Sequence, residues 1–235
     1  MAKRIKDLTA RSLSIFAVLT LIFATQACSQ VSAPKPEPAK ISRQPMGKTI
    51  FRDSDGNEVS NNEFVDIRMA NFHVKDATKM AVLEDGTVEF RLQKVPQEGT
   101  IAPEFSVTTM DGRTFSAAEL KGKVLVLNFW FIGCPGCLEE MPKLNAAVQK
   151  FGSSENVMFI ALTFDSKSKL KSFLAREKFD YEMVADAQTT LDDFGFSGYP
   201  KNIVIGKDGR IVYWRSTIRA WEKFDSVIQA ELNKN

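Results

Sequence analysis

The stretch Lys123-Val124-Leu125-Val126-Leu127-Asn128-Phe129-Trp130-Phe131-Ile132-Gly133-Cys134-Pro135-Gly136-Cys137 decides how the rest of the chain is read. Lys123 to Phe131 is a nearly continuous apolar run rich in β formers, the pattern of a central strand buried on both faces. Two cysteines follow at once and open a stretch that reads as helix to about Phe151. One helical turn brings positions i and i+3 onto the same face, so Cys134 and Cys137 can close a disulfide there. A thiol at a helix N-terminus also faces unpaired backbone N–H groups and the positive end of the helix dipole, which favour thiolate over thiol. Cys134 is therefore the expected nucleophile. Cys137, one turn deeper, is the expected resolving thiol. Pro135 suits the first helical position, where its missing N–H costs nothing. Pro142 falls inside the same helix and is expected to bend it.

Outward from this segment the chain alternates strands and helices, the signature of an α/β domain over residues 98–235. Upstream, Ala102 to Phe115 reads as a hairpin about Asp111-Gly112, followed by a helical turn at Ser116–Leu120 with Ser116 as its cap. Downstream, Val157 to Phe164 is a second buried strand leading to a helix at Ser168–Lys178. Asn202–Ile205, the Lys207-Asp208-Gly209-Arg210 turn and Ile211–Trp214 form a hairpin. Trp221, Phe224, Val227, Ile228 and Leu232 recur at helical spacing and predict an amphipathic terminal helix over Ala220–Asn233.

Residues 47–97 have a different character. Two hairpins with Asp-Gly turns, at Asp55-Gly56 and Asp85-Gly86, flank a short helical segment near Glu63–Phe72, and Gly86–Leu92 alternates with period two. This reads as a small β-rich accessory module without chemistry of its own. His73, the only histidine, lies in it with no cysteine at ligand spacing, so it is read as a surface or packing residue and no metal site is expected.

Residues 28–46, with Pro34, Pro36 and Pro38 among small residues, read as an extended tether. Residues 1–27 have the form of an export signal: Lys3, Arg4, Lys6 and Arg11, then an apolar run from Ser12 to Ala24 that is short for a membrane span of about 20 residues. Thr25-Gln26-Ala27-Cys28 resembles a bacterial lipobox, in which the chain is cut before a cysteine that receives lipid; Thr25 departs from the usual aliphatic residue. Ordinary cleavage near Ala27 or Ala33, or an uncleaved apolar anchor, are the alternatives. The whole chain holds 31 basic and 29 acidic residues. Setting aside the first 27 residues, with four basic side chains and one acid, leaves 27 basic and 28 acidic. Such a balance offers no basic patch for nucleic acid.

With Cys28 lipidated, the three cysteines permit one bridge at most, so the close pair is read as reactive and not as part of a disulfide scaffold. A haem-attachment site needs His after the second cysteine, where Leu138 stands. A structural zinc site needs four ligands. A thiol peroxidase would use Cys134 alone, and the Pro and Thr that peroxiredoxins place before that cysteine are missing. A lipid-anchored binding or assembly module with an incidental dithiol is the rival from another class.

The segment Asn128–Pro142 resembles the active-site region of TlpA/ResA-like thiol-disulfide oxidoreductases of the thioredoxin superfamily. Ala102-Pro103-Glu104-Phe105, Asp111-Gly112, Gly198-Tyr199-Pro200 and Lys207-Asp208-Gly209 extend the resemblance from about Gly99 to Lys234. It implies a thioredoxin-like fold, a mixed central sheet flanked by helices, with Pro200 in a cis peptide facing the cysteines. It implies that Tyr199, Pro200, Pro135 and Gly136 meet substrate, with Trp130 packing beside the pair in the same group. Thioredoxin carries a buried Asp where this chain has Asn128; Glu140, three residues after Cys137, is the expected substitute as proton relay. The resemblance further implies an extracytoplasmic, membrane-attached enzyme without metal or organic cofactor. Its substrates would be oxidised proteins, among them cytochrome c precursors, and its electrons would come from a membrane thiol donor of the DsbD/CcdA type.

Overall fold

The computed structural model describes residues 47–234; the segment read as an export signal, Cys28 and the whole of the tether read at residues 28–46 lie outside the described residues. The described residues form one compact unit. Among the described residues no helix is long and apolar enough to cross a membrane.

The chain begins with β1 (Thr49–Arg52), β2 (Glu58–Val59), α1 (Asn61–Ala70), β3 (Thr78–Val82) and β4 (Val88–Leu92). Both Asp-Gly turns close antiparallel pairs, β1 with β2 and β3 with β4, and β1 joins β4 in parallel, giving the order β2-β1-β4-β3. α1 starts where Ser60 accepts from the Glu63 N–H, a side-chain N-cap.

A short hairpin of β5 (Ser106–Thr108) and β6 (Thr114–Ser116) leads into the main body. There β7 (Val124–Trp130), α2 (Pro135–Phe151), β8 (Val157–Thr163), α3 (Lys167–Leu174), β9 (Glu182–Val184), α4 (Gln188–Phe194), β10 (Lys201–Ile205), β11 (Ile211–Arg215) and α5 (Trp221–Leu232) follow. The five-stranded sheet has the order β11-β10-β7-β8-β9, with β7, β8 and β9 parallel and β10 and β11 antiparallel. Every residue of β7 is buried, as its unbroken apolar run requires.

Alternation along β7 sends Val124, Val126 and Trp130 to one face, against Met141 and Leu144 of α2, Leu170 of α3 and Phe224 and Ile228 of α5. Leu125, Leu127 and Phe129 point to the other face. Its helical cover within the main body is the seven-residue α4, and Ile67 and Ala70 of α1 with Leu92 and Val95 complete the layer. The 47–97 segment thus supplies core to the sheet that carries the cysteines.

Ser116–Leu120 forms the capped turn that the sequence predicts, with Ser116 and Glu119 capping one another. Two local departures from the sequence reading have physical causes. α3 stops at Leu174 instead of Lys178 because the chain must leave the helix to bury Phe179 and Tyr181 beside Trp130 and Phe159. β9 and α4 have no counterpart in the sequence reading: β9 is three residues at a sheet edge, and α4 is short, has no side-chain cap and contains two β-branched threonines. α2 continues on both sides of Pro142.

Candidate active site

β7 ends at Trp130, and Phe131–Gly133 carry the chain over the end of the sheet into α2. Gly133 has φ of 91°, a left-handed conformation that a side chain would strain, and this turn sets the direction of Cys134. Cys134 is the N-cap of α2 with extended backbone, and Pro135 occupies the first turn. The Cys134 Sγ accepts from the Cys137 N–H at 3.2 Å, so the sulfur sits where a helix N-terminus stabilises negative charge. Cys134 and Cys137 are joined by a disulfide with an S–S distance of 2.01 Å and Cα atoms 5.3 Å apart.

Pro200 closes the site from the opposite side. The Tyr199–Pro200 bond is cis. A Cβ placed on Gly136 would lie 3.4 Å from the Pro200 Cδ, so the proline ring lies within van der Waals reach of the inter-cysteine turn. Tyr199 stands against Phe131 with ring centroids 5.4 Å apart, and Phe131 stacks on Phe164 at 5.5 Å. Phe164 and Leu138 are each 39% exposed, which makes the rim around the disulfide apolar and partly open. Trp130 is wholly enclosed instead, packed on Phe173 and Phe179, and its ring does not reach this rim.

Beneath the pair lies a buried polar network. Glu140, on the turn of α2 after Cys137, is 3% exposed. It accepts from the Asn202 Nδ2 at 2.9 Å and from the Ile218 backbone N–H at 2.5 Å. Asn202 in turn accepts from the Asn128 Nδ2 at 2.8 Å. Burial pushes the Glu140 carboxyl up to about 7, against the pull of the Ile218 and Asn202 hydrogen bonds, and Asp66 adds a like charge. Asp66, reaching across from α1, accepts from the next two backbone N–H groups, Arg219 at 2.8 Å and Ala220 at 2.9 Å. Burial raises the Asp66 carboxyl as well. Three consecutive N–H groups thus hold two buried acids.

The structure brings Cys134, Cys137, Pro135, Gly136, Tyr199 and Pro200 together at one end of the sheet and sets Glu140 below them. Glu139, its neighbour, is exposed. Asn202, Asp66 and Asp165 escape the sequence reading. The Asp165 carboxylate accepts from the Ile132 N–H at 2.7 Å and from the Thr163 hydroxyl at 2.9 Å, and so pins the loop that presents Cys134. Asn202 had one available signal, its position two residues after Pro200; the other two are fixed by tertiary packing alone.

Residues 99–214 match the model of the AhpC/TSA family, which also spans peroxidases. A thiol-disulfide oxidoreductase ResA of Bacillus thuringiensis is 33% identical over 118 residues, covering 49% of this chain and 68% of its own. A thioredoxin-like protein YneN of Bacillus subtilis is 28% identical, over 49% of this chain and 69% of that one. Among solved structures, a thiol:disulfide interchange protein of the thioredoxin family from Chlorobium tepidum superposes with a TM-score of 0.51 at 26% identity, over 57% of this chain and 97% of the other.

Proposed function

Since the chain belongs to the ResA-like thiol-disulfide oxidoreductases of the thioredoxin superfamily, we propose that it works outside the cytoplasm as a reductase of protein disulfides, with Cys134 as nucleophile, Cys137 as resolving thiol and Glu140 as proton relay. The observation that carries this reading is the Cys134–Cys137 bridge at the N-terminus of α2, directly above a buried carboxyl poised near neutrality.

In the reduced enzyme the Cys134 thiolate attacks one sulfur of a client disulfide. A mixed disulfide forms and the client's other sulfur leaves as a thiolate. Glu140 takes the proton of Cys137, whose thiolate then attacks the Cys134 sulfur. The client departs with both sulfurs reduced, and the Cys134–Cys137 disulfide seen in the structure is the product. Two electrons from a membrane thiol donor of the DsbD/CcdA type restore the dithiol. The apolar rim of Phe131, Phe164 and Tyr199 supports a protein client laid across the disulfide, with Pro135, Gly136 and Pro200 against its backbone. Export and attachment through a lipidated Cys28 place the enzyme in the envelope, facing clients such as cytochrome c precursors.

The test is the equilibrium reduction potential of the Cys134/Cys137 couple in the purified protein. A value near that of thioredoxin, about −270 mV, fits a reductase, whereas one near about −120 mV means an oxidant that installs disulfides. The match to a family that includes peroxidases gives a second reading, which predicts peroxide consumption that survives Cys137→Ser and stops with Cys134→Ser. No such turnover is expected.

A further inference from the structure

The face of the main sheet away from Glu140 holds a second feature that thiol exchange does not use. Lys201 follows Pro200 and points to the opposite side of β10 from Asn202, beneath the 47–97 segment. It is 4% exposed. Its ammonium donates to the Ser216 hydroxyl at 3.0 Å and lies over the rings of Trp214 and Phe196, 5.3 and 5.9 Å from their centroids. Among the described residues no carboxylate pairs with it. The neighbouring acid Glu98 is taken up by Arg215 and the Trp214 N–H. Burial, with Arg215 nearby, holds Lys201 down to about 8.

A buried cation without a counter-ion is costly, and aromatic faces offset only part of that cost. Here Lys201 lines a cleft of about 320 Å³, whose lining also includes His73 and Gln97 of the 47–97 segment. The Gln97 Oε1 is buried with no hydrogen-bond partner. The cleft therefore lacks one negative charge and one N–H or O–H donor. A single ammonium matches a monoanion better than a phosphate dianion, and the volume lies at the small end of ligand sites. Phe196, on the cleft wall, touches Tyr199 at 5.5 Å, and Tyr199 touches Phe131 beside the disulfide. Two ring contacts thus link the cleft wall to the surface where a client would lie.

We propose that this cleft binds a carboxylate that carries an adjacent N–H or O–H donor, with Lys201 and Ser216 taking the carboxylate and Gln97 taking the donor. Two sources share that chemistry, a free small acid or an acidic group on a protein client docked at the disulfide. Only the second rests on the reductase reading above.

The experiment is an NMR titration of the full chain with N-acetylglycine, following the amides of Lys201 and Ser216, with the neutral N-acetylglycinamide as control. Saturable shifts with the acid alone are expected, weakened about tenfold or more in Lys201→Met, which removes a charge-assisted hydrogen bond. Gln97→Glu supplies a carboxylate from within and should abolish the shifts while leaving Lys201 in place. Absence of saturation, equal shifts with the amide, or shifts that survive in both variants would overturn the site. A second arm separates the sources by comparing reduction of disulfide peptides carrying Glu or Gln beside the cystine. Faster reduction of the Glu peptide, lost in Lys201→Met, assigns the cleft to clients; binding of N-acetylglycine without that preference assigns it to a free acid. Because the titration needs no turnover, it stands or falls independently of the reductase reading.

Discussion

Glu140 is a carboxyl whose environment moves its titration into the range where thiols exchange protons. The cause is burial, reinforced by the like charge of Asp66, and the Asn202 and Ile218 hydrogen bonds only partly oppose it. An acid with a raised pKa in the folded state binds more protons than the unfolded chain between about 4.5 and about 7. Its contribution to stability is therefore greatest below the lower value and is lost as pH rises through the upper one. The difference corresponds to roughly 3 kcal/mol across that window. Glu140→Gln removes the titration, so its urea-unfolding stability should fall less than the wild type's over the same range. Resolution of a Cys134 mixed disulfide should lose its inflection near neutrality in the same variant. Parallel stability curves for the two proteins, with the inflection retained, would exclude Glu140 as the proton relay.

At the level of elements, reactivity depends on how the end of β7, the Phe131–Gly133 turn and the first turn of α2 are held against each other. Asp165, at the end of β8, fixes the turn through the Ile132 N–H. Asp165→Ala should free that amide and speed its hydrogen exchange about ten- to a hundredfold, the loss of one charge-assisted hydrogen bond, while exchange deep in β7 stays slow. Unchanged exchange at Ile132 would mean that the turn is held by its aromatic contacts instead. The same junction shows what the sequence could disclose. β7 and α2 were legible because an unbroken apolar run, a proline at the first helical position and two cysteines one turn apart are local signals. Pro200 and Glu140 became legible through resemblance to a family. Asp165 and Asn202 were not, since a single polar residue after a strand carries no mark of the distant N–H or carboxylate it will meet. β9 and α4 escaped because neither is long enough to show a period, and packing on their neighbours, not propensity, sets their conformation.

The match to the AhpC/TSA family starts at residue 99, yet the 47–97 segment is built into the rest of the molecule at three places. Ile67, Ala70, Leu92 and Val95 fill one face of the main sheet, Asp66 caps the approach to α5, and Gln97 and His73 line the Lys201 cleft. An appendage joined by a linker would unfold on its own, whereas a segment that shares a core should unfold with its host. All three tryptophans lie outside the segment, and two of them, Trp130 and Trp221, pack on the other face of the main sheet, so their fluorescence reports on the host. Leu92 is 1% exposed at the shared core. Leu92→Ala leaves a cavity there and should cost about 2–5 kcal/mol. The expected result is a single urea transition whose tryptophan-fluorescence midpoint falls together with the far-ultraviolet circular dichroism midpoint. A tryptophan midpoint that stays at the wild-type value while part of the dichroism is lost earlier would show two independent units, and the coupling between the 47–97 segment and the redox centre would then have no physical carrier.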